Sequence, residues 1–240
     1  MKKLLFLATF ALLLTQPISA LATPTTLKDI LGYTGTEAYT DKGSEYVVLT
    51  DTDGTNDDAV AYLLLEIAGY AGQNKLGIYG FSTAGTTVTL GNTLEVFSGP
   101  DSPYDSTTLK FDLSAGTVTN SSSGQTAAIG PKFGFYISTP QDNGYTYYTH
   151  AALNLDGIDH FLLFDTSDNS VGKLLGSDVV LAIEDLYGGG DRDYNDMVAG
   201  VSDVATAPVP EPATMLLLGT GLIGLAGVGR KKFSKQNPPA

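Results

Sequence analysis

The sequence predicts an all-β fold, a β-sandwich or jelly roll with one short helix, set between two apolar terminal segments. Three observations carry this. Short apolar runs alternate with turn clusters: "SGPDSP" at 98–103, "NSSSG" at 120–124, "QDNG" at 141–144 and "YGGGD" at 187–191. Thr, Ser, Gly and Tyr dominate between them, as suits short strands and tight turns. No fixed-period repeat occurs, which argues against a solenoid or a propeller.

The terminal segments come first, because they are processing and membrane signals rather than fold. At the start, Lys2 and Lys3 precede an apolar run from Leu4 to Leu14, and Ala20-Leu21-Ala22 forms a cleavage motif. Residues 1–22 therefore read as a signal peptide, the run being short for a spanning helix. At the other end, Ala213 to Gly229 carries no charge and is followed by Arg230, Lys231 and Lys232. At ~1.5 Å rise per residue this run reaches roughly 25 Å, slightly less than a hydrocarbon core. The basic triplet places that end on the cytoplasmic side and the rest of the chain outside. The expected layout is a signal peptide (1–22), a β domain (23–202), a linker (203–208), a hydrophobic C-terminal helix (209–233) and a basic, polar tail (234–240).

Within the domain, alternation and β-branched content predict strands at Tyr46-Thr50, Leu76-Phe81, Thr87-Leu90, Thr93-Ser98, Leu109-Leu113, Phe133-Ser138, His160-Phe164, Val179-Glu184 and Tyr194-Val201. The short helix is expected over 58–68. Val60, Leu63, Leu64 and Ile67 recur at helical spacing there, with Asn56 or Asp57 to cap the start and Gly69 to end it. A buried strand over Tyr62-Ile67 is the alternative.

Charge narrows the partners. The chain has a formal charge of -13, but six of its basic residues lie in the terminal segments. Residues 23–208 keep seven basic and 25 acidic side chains, a formal charge near -18. Such a surface repels nucleic acid and anionic lipid. Twenty of those acids are Asp, a short side chain that suits turns and compact oxygen cages.

The densest acidic stretch is "EDLYGGGDRDYNDM", Glu184 to Met197. "VVLAIED" reads as a strand, "LYGGG" as a glycine turn and "DYNDMVAGV" as the return strand. Such a hairpin places Glu184 and Asp185 opposite Asp193 and Asp196. Alternation puts Asp191, Asp193 and Asn195 on one face, with Tyr194 and Asp196 on the other. Like charges directly opposite destabilise the pair, and a Ca²⁺ ion removes the conflict by taking 6–8 oxygens without strict geometry. Alternatively the acids face solvent and Arg192 screens them. With no Cys and only two His in the chain, the donor set is all oxygen, which fits Ca²⁺ or Mg²⁺ rather than zinc or copper.

A second cluster, "TDTDGTNDD" at 50–58, offers Asp51, Asp53 and Asp57 as further metal ligands. It departs from an EF-hand loop. Counting from Asp51, glycine stands fourth instead of sixth, and the twelfth residue is Tyr62 instead of Glu. Turn formation and helix capping are the competing roles. Catalytic motifs are absent: His150 and His160 belong to no H-E-x-x-H, and no G-x-S-x-G occurs. His160 opens an apolar strand and reads as structural. Paired acids and Tyr145, Tyr147 and Tyr148 keep open a carbohydrate-binding or carbohydrate-active alternative, although the chain lacks Trp.

Two resemblances add to this reading. Val209-Pro210-Glu211-Pro212, the apolar run from Met215 to Val228, and Arg230-Lys231-Lys232 resemble the PEP-CTERM sorting signal of Gram-negative bacteria. The resemblance implies export through the Sec machinery and transient anchoring in the inner membrane. It further implies cleavage by an exosortase near Pro210-Glu211-Pro212, then delivery to the cell surface or extracellular matrix, a setting tied to exopolysaccharide and biofilm. "AIEDLYGGGDRDYNDMVAGV", with "GFY" at 134–136 and "DHFLLF" at 159–164, resembles the domain-of-unknown-function 4114 family over about 128–201. That resemblance implies a β-rich, non-enzymatic domain that binds Ca²⁺ through Glu184, Asp185, Asp191, Asp193, Asn195 and Asp196.

If the tail is a cleaved sorting signal, mass spectrometry of the exported protein will find a C-terminus near Pro210-Glu211-Pro212. Intact Met215–Ala240 on that product would contradict the assignment.

Overall fold

A computed structural model describes residues 26–207, apart from Asp53, Thr55, Ala68, 142–143 and 169–175. The expected signal peptide and C-terminal helix lie outside the described residues. Among those described, no helix is long and apolar enough to cross a membrane.

The fold is all-β, two antiparallel sheets facing each other. In chain order the strands are β1 (Val47–Leu49), β2 (Asn56–Glu66), β3 (Lys75–Ala84), β4 (Thr87–Phe97), β5 (Ser106–Asp112), β6 (Thr117–Asn120), β7 (Thr126–Ala127), β8 (Lys132–Thr139), β9 (Tyr145–Tyr148), β10 (Phe161–Asp165), β11 (Val179–Ile183), β12 (Met197–Val201) and β13 (Val204–Thr206). One sheet runs β13-β1-β8-β3-β4, with β9 also on β8; the other runs β10-β11-β12-β2-β5-β6-β7. β8 borders β3 along one edge, while β1 and β9 divide the other.

The facing sides bury one continuous core. Ala59, Ala61 and Leu63 of β2, Leu109 and Phe111 of β5, and Phe161 and Leu163 of β10 meet Leu76 and Ile78 of β3 and Phe133, Phe135 and Ile137 of β8. Each set follows the period of two that a half-buried strand requires. Phe111 stacks on Phe133 across the sandwich, with ring centroids 5.4 Å apart.

The helix expected over 58–68 is a strand. β2 pairs with β5 along one edge and with β12 along the other, so its backbone is satisfied on both sides. The helical spacing misled because both faces of β2 are partly covered. Leu63 enters the main core, while Leu64 and Leu65 pack on a second apolar cluster behind the sheet. Ile67, which a helix would have buried, is 59% exposed.

That second cluster explains why "VVLAI" of β11 is apolar without alternation. Val179, Leu181 and Ile183 face the main core, and Val180 and Ala182 face outward. Their outer cover is a short helix, α1 (Leu27–Leu31), which contributes Leu27 and Ile30. Thr26 and Asp29 form a capping box at its start, and Gly32 closes it at φ 69. Among the described residues the one α-helix therefore lies at the beginning of the domain, where no helix was expected.

Strand limits shift elsewhere. The two strands expected at Thr87-Leu90 and Thr93-Ser98 are one, β4. The return strand begins at Met197 rather than Tyr194. Val204–Thr206, inside the segment read as a linker, forms β13 and pairs with β1.

Removing the cross-sheet stack should be costly. Phe133→Ala is expected to lower the unfolding free energy by about 3–5 kcal/mol, measured by urea denaturation.

Candidate metal centre

The loop 184–196 joins β11 to β12, which pair from Val179↔Val201 to Ala182↔Val198. It is a wide loop, not a tight hairpin. The chain leaves Ile183, turns, and comes back to bridge Ile183 through Asn195 in a parallel sense. The strict alternation expected for 191–196 does not occur, because Arg192 and Tyr194 adopt positive φ, 62 and 55.

The three glycines have separate reasons. Gly188, Gly189 and Gly190 stand at φ 81, 78 and 39, a run that residues with a Cβ rarely sustain. Gly190 also lies against the Glu184 carboxylate, where a Cβ would overlap Oε1. The turn thus wraps around a carboxylate instead of merely reversing the chain.

Backbone and side-chain bonds anchor this wrap. Arg192 N donates to Glu184 Oε2 at 3.1 Å, and Asp185 N donates to Asp196 Oδ2 at 3.0 Å. Gly188 N donates to Asp156 Oδ2 at 2.9 Å, and Tyr194 OH donates to the Asp159 carbonyl at 3.1 Å. Asn195 donates from its side chain to Asp193 Oδ2 at 2.6 Å, so its amide orients a candidate ligand.

Five of the six expected ligands gather here. Carboxylate oxygens of Glu184, Asp191 and Asp193 lie within 4.8 Å of one another, as do those of Glu184, Asp185 and Asp196. Glu184 and Asp185 are each only 1% exposed. Glu184 Oε1 is buried and has no hydrogen-bond partner. Among the described residues no Lys or Arg forms an ion pair with any of these acids; the ion pairs are Lys28–Glu37, Lys75–Glu95 and His160–Asp156. Arg192 meets Glu184 through its backbone amide, and its side chain, which the alternative reading has screening the acids, forms no ion pair with them among the described residues.

Crowding raises the proton affinity of the buried pair. Burial, then the neighbouring Asp196 and Asp191, push Glu184 up to about 8, against the Arg192 amide. Burial also pushes Asp185 up to about 6, with Asn74 opposing and Asp196 and Glu66 assisting. An orphaned, fully buried carboxylate oxygen in an all-oxygen cluster has two remedies, a proton or a cation. The residues therefore fit a hard divalent ion such as Ca²⁺.

Three groups that the sequence did not single out as site residues support the cluster. Asn74, before β3 on the opposite sheet, donates from Nδ2 to Asp185 Oδ2 at 2.7 Å. Asp156 receives Gly188 N and faces His160 Nε2 at 3.1 Å. Burial raises Asp156, but the Gly188 and Ile158 amides and His160 outweigh it and hold the carboxyl below its ordinary range. Neither Asn74 nor Asp156 belongs to a local motif, and only the fold brings them near. His160 is fully buried, donates from Nδ1 to the Glu184 carbonyl at 2.9 Å, and stacks on Tyr147 at 3.7 Å. It props the loop from below.

The second acidic cluster is different. Asp53 lies outside the described residues. Asp51 is exposed and Asp57 half-buried, and neither joins a group of three or more close ligands among the described residues. Asp57 is raised by burial, opposed by the Asp58 amide and reinforced by the charges of Asp51, Asp58 and Asp203. It lines an open groove of about 590 Å³ with Asp58, Lys110 and Asp112. The role read for it as a helix cap falls with the helix. The sorting residues Val209, Pro210, Glu211, Pro212, Arg230, Lys231 and Lys232 lie outside the described residues.

Comparison with known families meets this geometry directly. Residues 115–203, from the turn before β6 to the end of β12 and including the whole loop 184–196, match the model of the Domain of unknown function (DUF4114). That stretch is similar to a DUF4114 domain. Residues 208–231 match the PEP-CTERM protein-sorting motif. That motif marks an exported protein with a membrane-anchored precursor, processed by an exosortase. No curated protein and no solved structure matches the chain. The DUF4114 match leaves β1–β5 outside it, although β2 is central in one sheet and β3 packs within the other.

The raised Glu184 and Asp185 make a signed prediction. Both bind protons more tightly when folded, so without divalent ions their contribution is complete below their ordinary values, 4.5 and 3.8. It fades as pH rises through about 6 and then about 8. Melting curves in chelator should show stability falling over that window, and Glu184→Gln should flatten the fall.

Proposed function

We propose that this is a non-enzymatic, exported β-sandwich that binds Ca²⁺ in the loop 184–196 and acts in cell-surface or matrix adhesion, in a biofilm setting. One observation carries the metal reading: Glu184 Oε1 is buried and unpartnered at the meeting point of two carboxylate sets. Ca²⁺ would supply the missing partner and cancel the repulsion among the acids. The ion would thereby fix a loop that ends two adjacent strands, β11 and β12. Export supports the choice of ion, because even a millimolar affinity is useful outside the cell.

Sec-dependent passage and release from the membrane by exosortase complete the route, with the surface or matrix as destination. The carbohydrate alternative draws on Tyr187, which is 48% exposed beside Tyr145 at 5.3 Å between centroids. Tyr147 gives it no support, being fully buried against His160. A glycan array of the exported protein separates the two: retention on a polysaccharide independent of Ca²⁺ would favour the alternative.

Binding to the folded state alone adds RT ln(1 + [L]/Kd) to stability, about 2.7 kcal/mol at a hundredfold excess over Kd. Millimolar Ca²⁺ should therefore raise the melting temperature by several degrees, and Asp193→Ala with Asp196→Ala should abolish the rise. A melting curve indifferent to both Ca²⁺ and chelator would refute the metal reading.

A further inference from the structure

The oxygens bound to one Ca²⁺ stand 2.3–2.6 Å from it, so no two of them can be more than about 5 Å apart. The five carboxylates do not satisfy this as one set. Asp191 and Asp193 group with Glu184, and Asp185 and Asp196 group with Glu184, within 4.8 Å in each set, and among the described residues no larger set meets that limit. The sets also differ in setting. Asp191 and Asp193 are exposed, whereas Asp185 is buried and Asp196 half-buried.

We infer that the loop holds two divalent cations that share Glu184, an outer one on Asp191 and Asp193 and an inner one on Asp185 and Asp196. This rests on the Ca²⁺ reading above and extends it to number and role. Glu184 is suited to bridge. Its Oε1 is unpartnered, and its Oε2 accepts one backbone amide, which leaves lone pairs on both oxygens. Gly190 keeps the space beside Oε1 free of side chain. Charge agrees with number: one divalent ion leaves five carboxylates with a net charge of about -3, two leave about -1.

The inner ion has a second independent pointer. Asn74 is 1% exposed, its Nδ2 donates to Asp185 Oδ2, and its Oδ1 has no hydrogen-bond partner. Asn74 precedes β3, so an ion held by Asp185 is tied through this amide to the other sheet. The inner ion is thus a clasp between the two sheets, slow to leave. The outer ion closes the solvent side of the loop and exchanges freely.

Native mass spectrometry and calorimetry of the exported protein titrated with CaCl₂ test this. Two ions per chain are expected, bound in separable steps. Asp191→Asn with Asp193→Asn should leave one ion and most of the thermal stabilisation. Asn74→Ala, which spares every carboxylate, should weaken the tighter step about 10–100-fold, as loss of a ligand-orienting partner does elsewhere, and leave the weaker step unchanged. Circular dichroism of each variant confirms folding. A single ion in the unaltered protein overturns the two-ion inference but leaves the Ca²⁺ reading standing. Loss of all binding in the Asp191/Asp193 variant also overturns it. No binding at all overturns both.

Discussion

Two adjacent carboxylates, Glu184 and Asp185, are buried at the end of a core strand and, among the described residues, no Lys or Arg forms an ion pair with them. Burying charge without compensation is among the most expensive things a fold can do. The loop 184–196 is organised around that constraint. Gly190 gives up its side chain to seat the Glu184 carboxylate. The amides of Arg192 and Asp185 tie Glu184 and Asp196 to the wrap, and His160 supports the Glu184 carbonyl from beneath. In the proposed reading a cation would complete this arrangement, whereas a proton would only relieve it, so the two would compete for the same atoms.

The sandwich makes such a site possible by holding its base still. β11 is buried on both faces, by the main core on one side and by α1 with its apolar neighbours on the other. Such a strand has no freedom to let its last residues swing out to water. Glu184 and Asp185 follow it directly and inherit its position. Asn74 adds a restraint from the second sheet, so the acidic loop is held by both layers. The same double cover explains the misleading helical spacing of β2, whose apolar residues serve two clusters rather than one stripe.

Export and chemistry fit together. The PEP-CTERM motif marks an exported protein, and the absence of Cys leaves no disulfide to secure the loop. In the proposed reading, a clasp built from these carboxylates would be stable where Ca²⁺ is present and would loosen where it is scarce.

The sequence by itself determined the fold class, most strand positions and the C-terminal sorting motif, and it singled out the acidic stretch as the candidate site. Alternation, turn residues and charge density are local properties, and each is read from neighbours along the chain. It also excluded thiolate donors, since the chain has no Cys. Tertiary structure decided the rest. Whether 58–68 is helix or strand depended on partners from β5 and β12, far away in sequence. Whether Asp191 and Asp196 point to opposite faces depended on left-handed turns at Arg192 and Tyr194, which no alternation rule contains. Asn74 and Asp156 lie outside every motif and reach the loop only because the sheets stack and the chain returns. The division of the acids into two sets sharing Glu184 is likewise a matter of distances in space, which a list of residues does not carry.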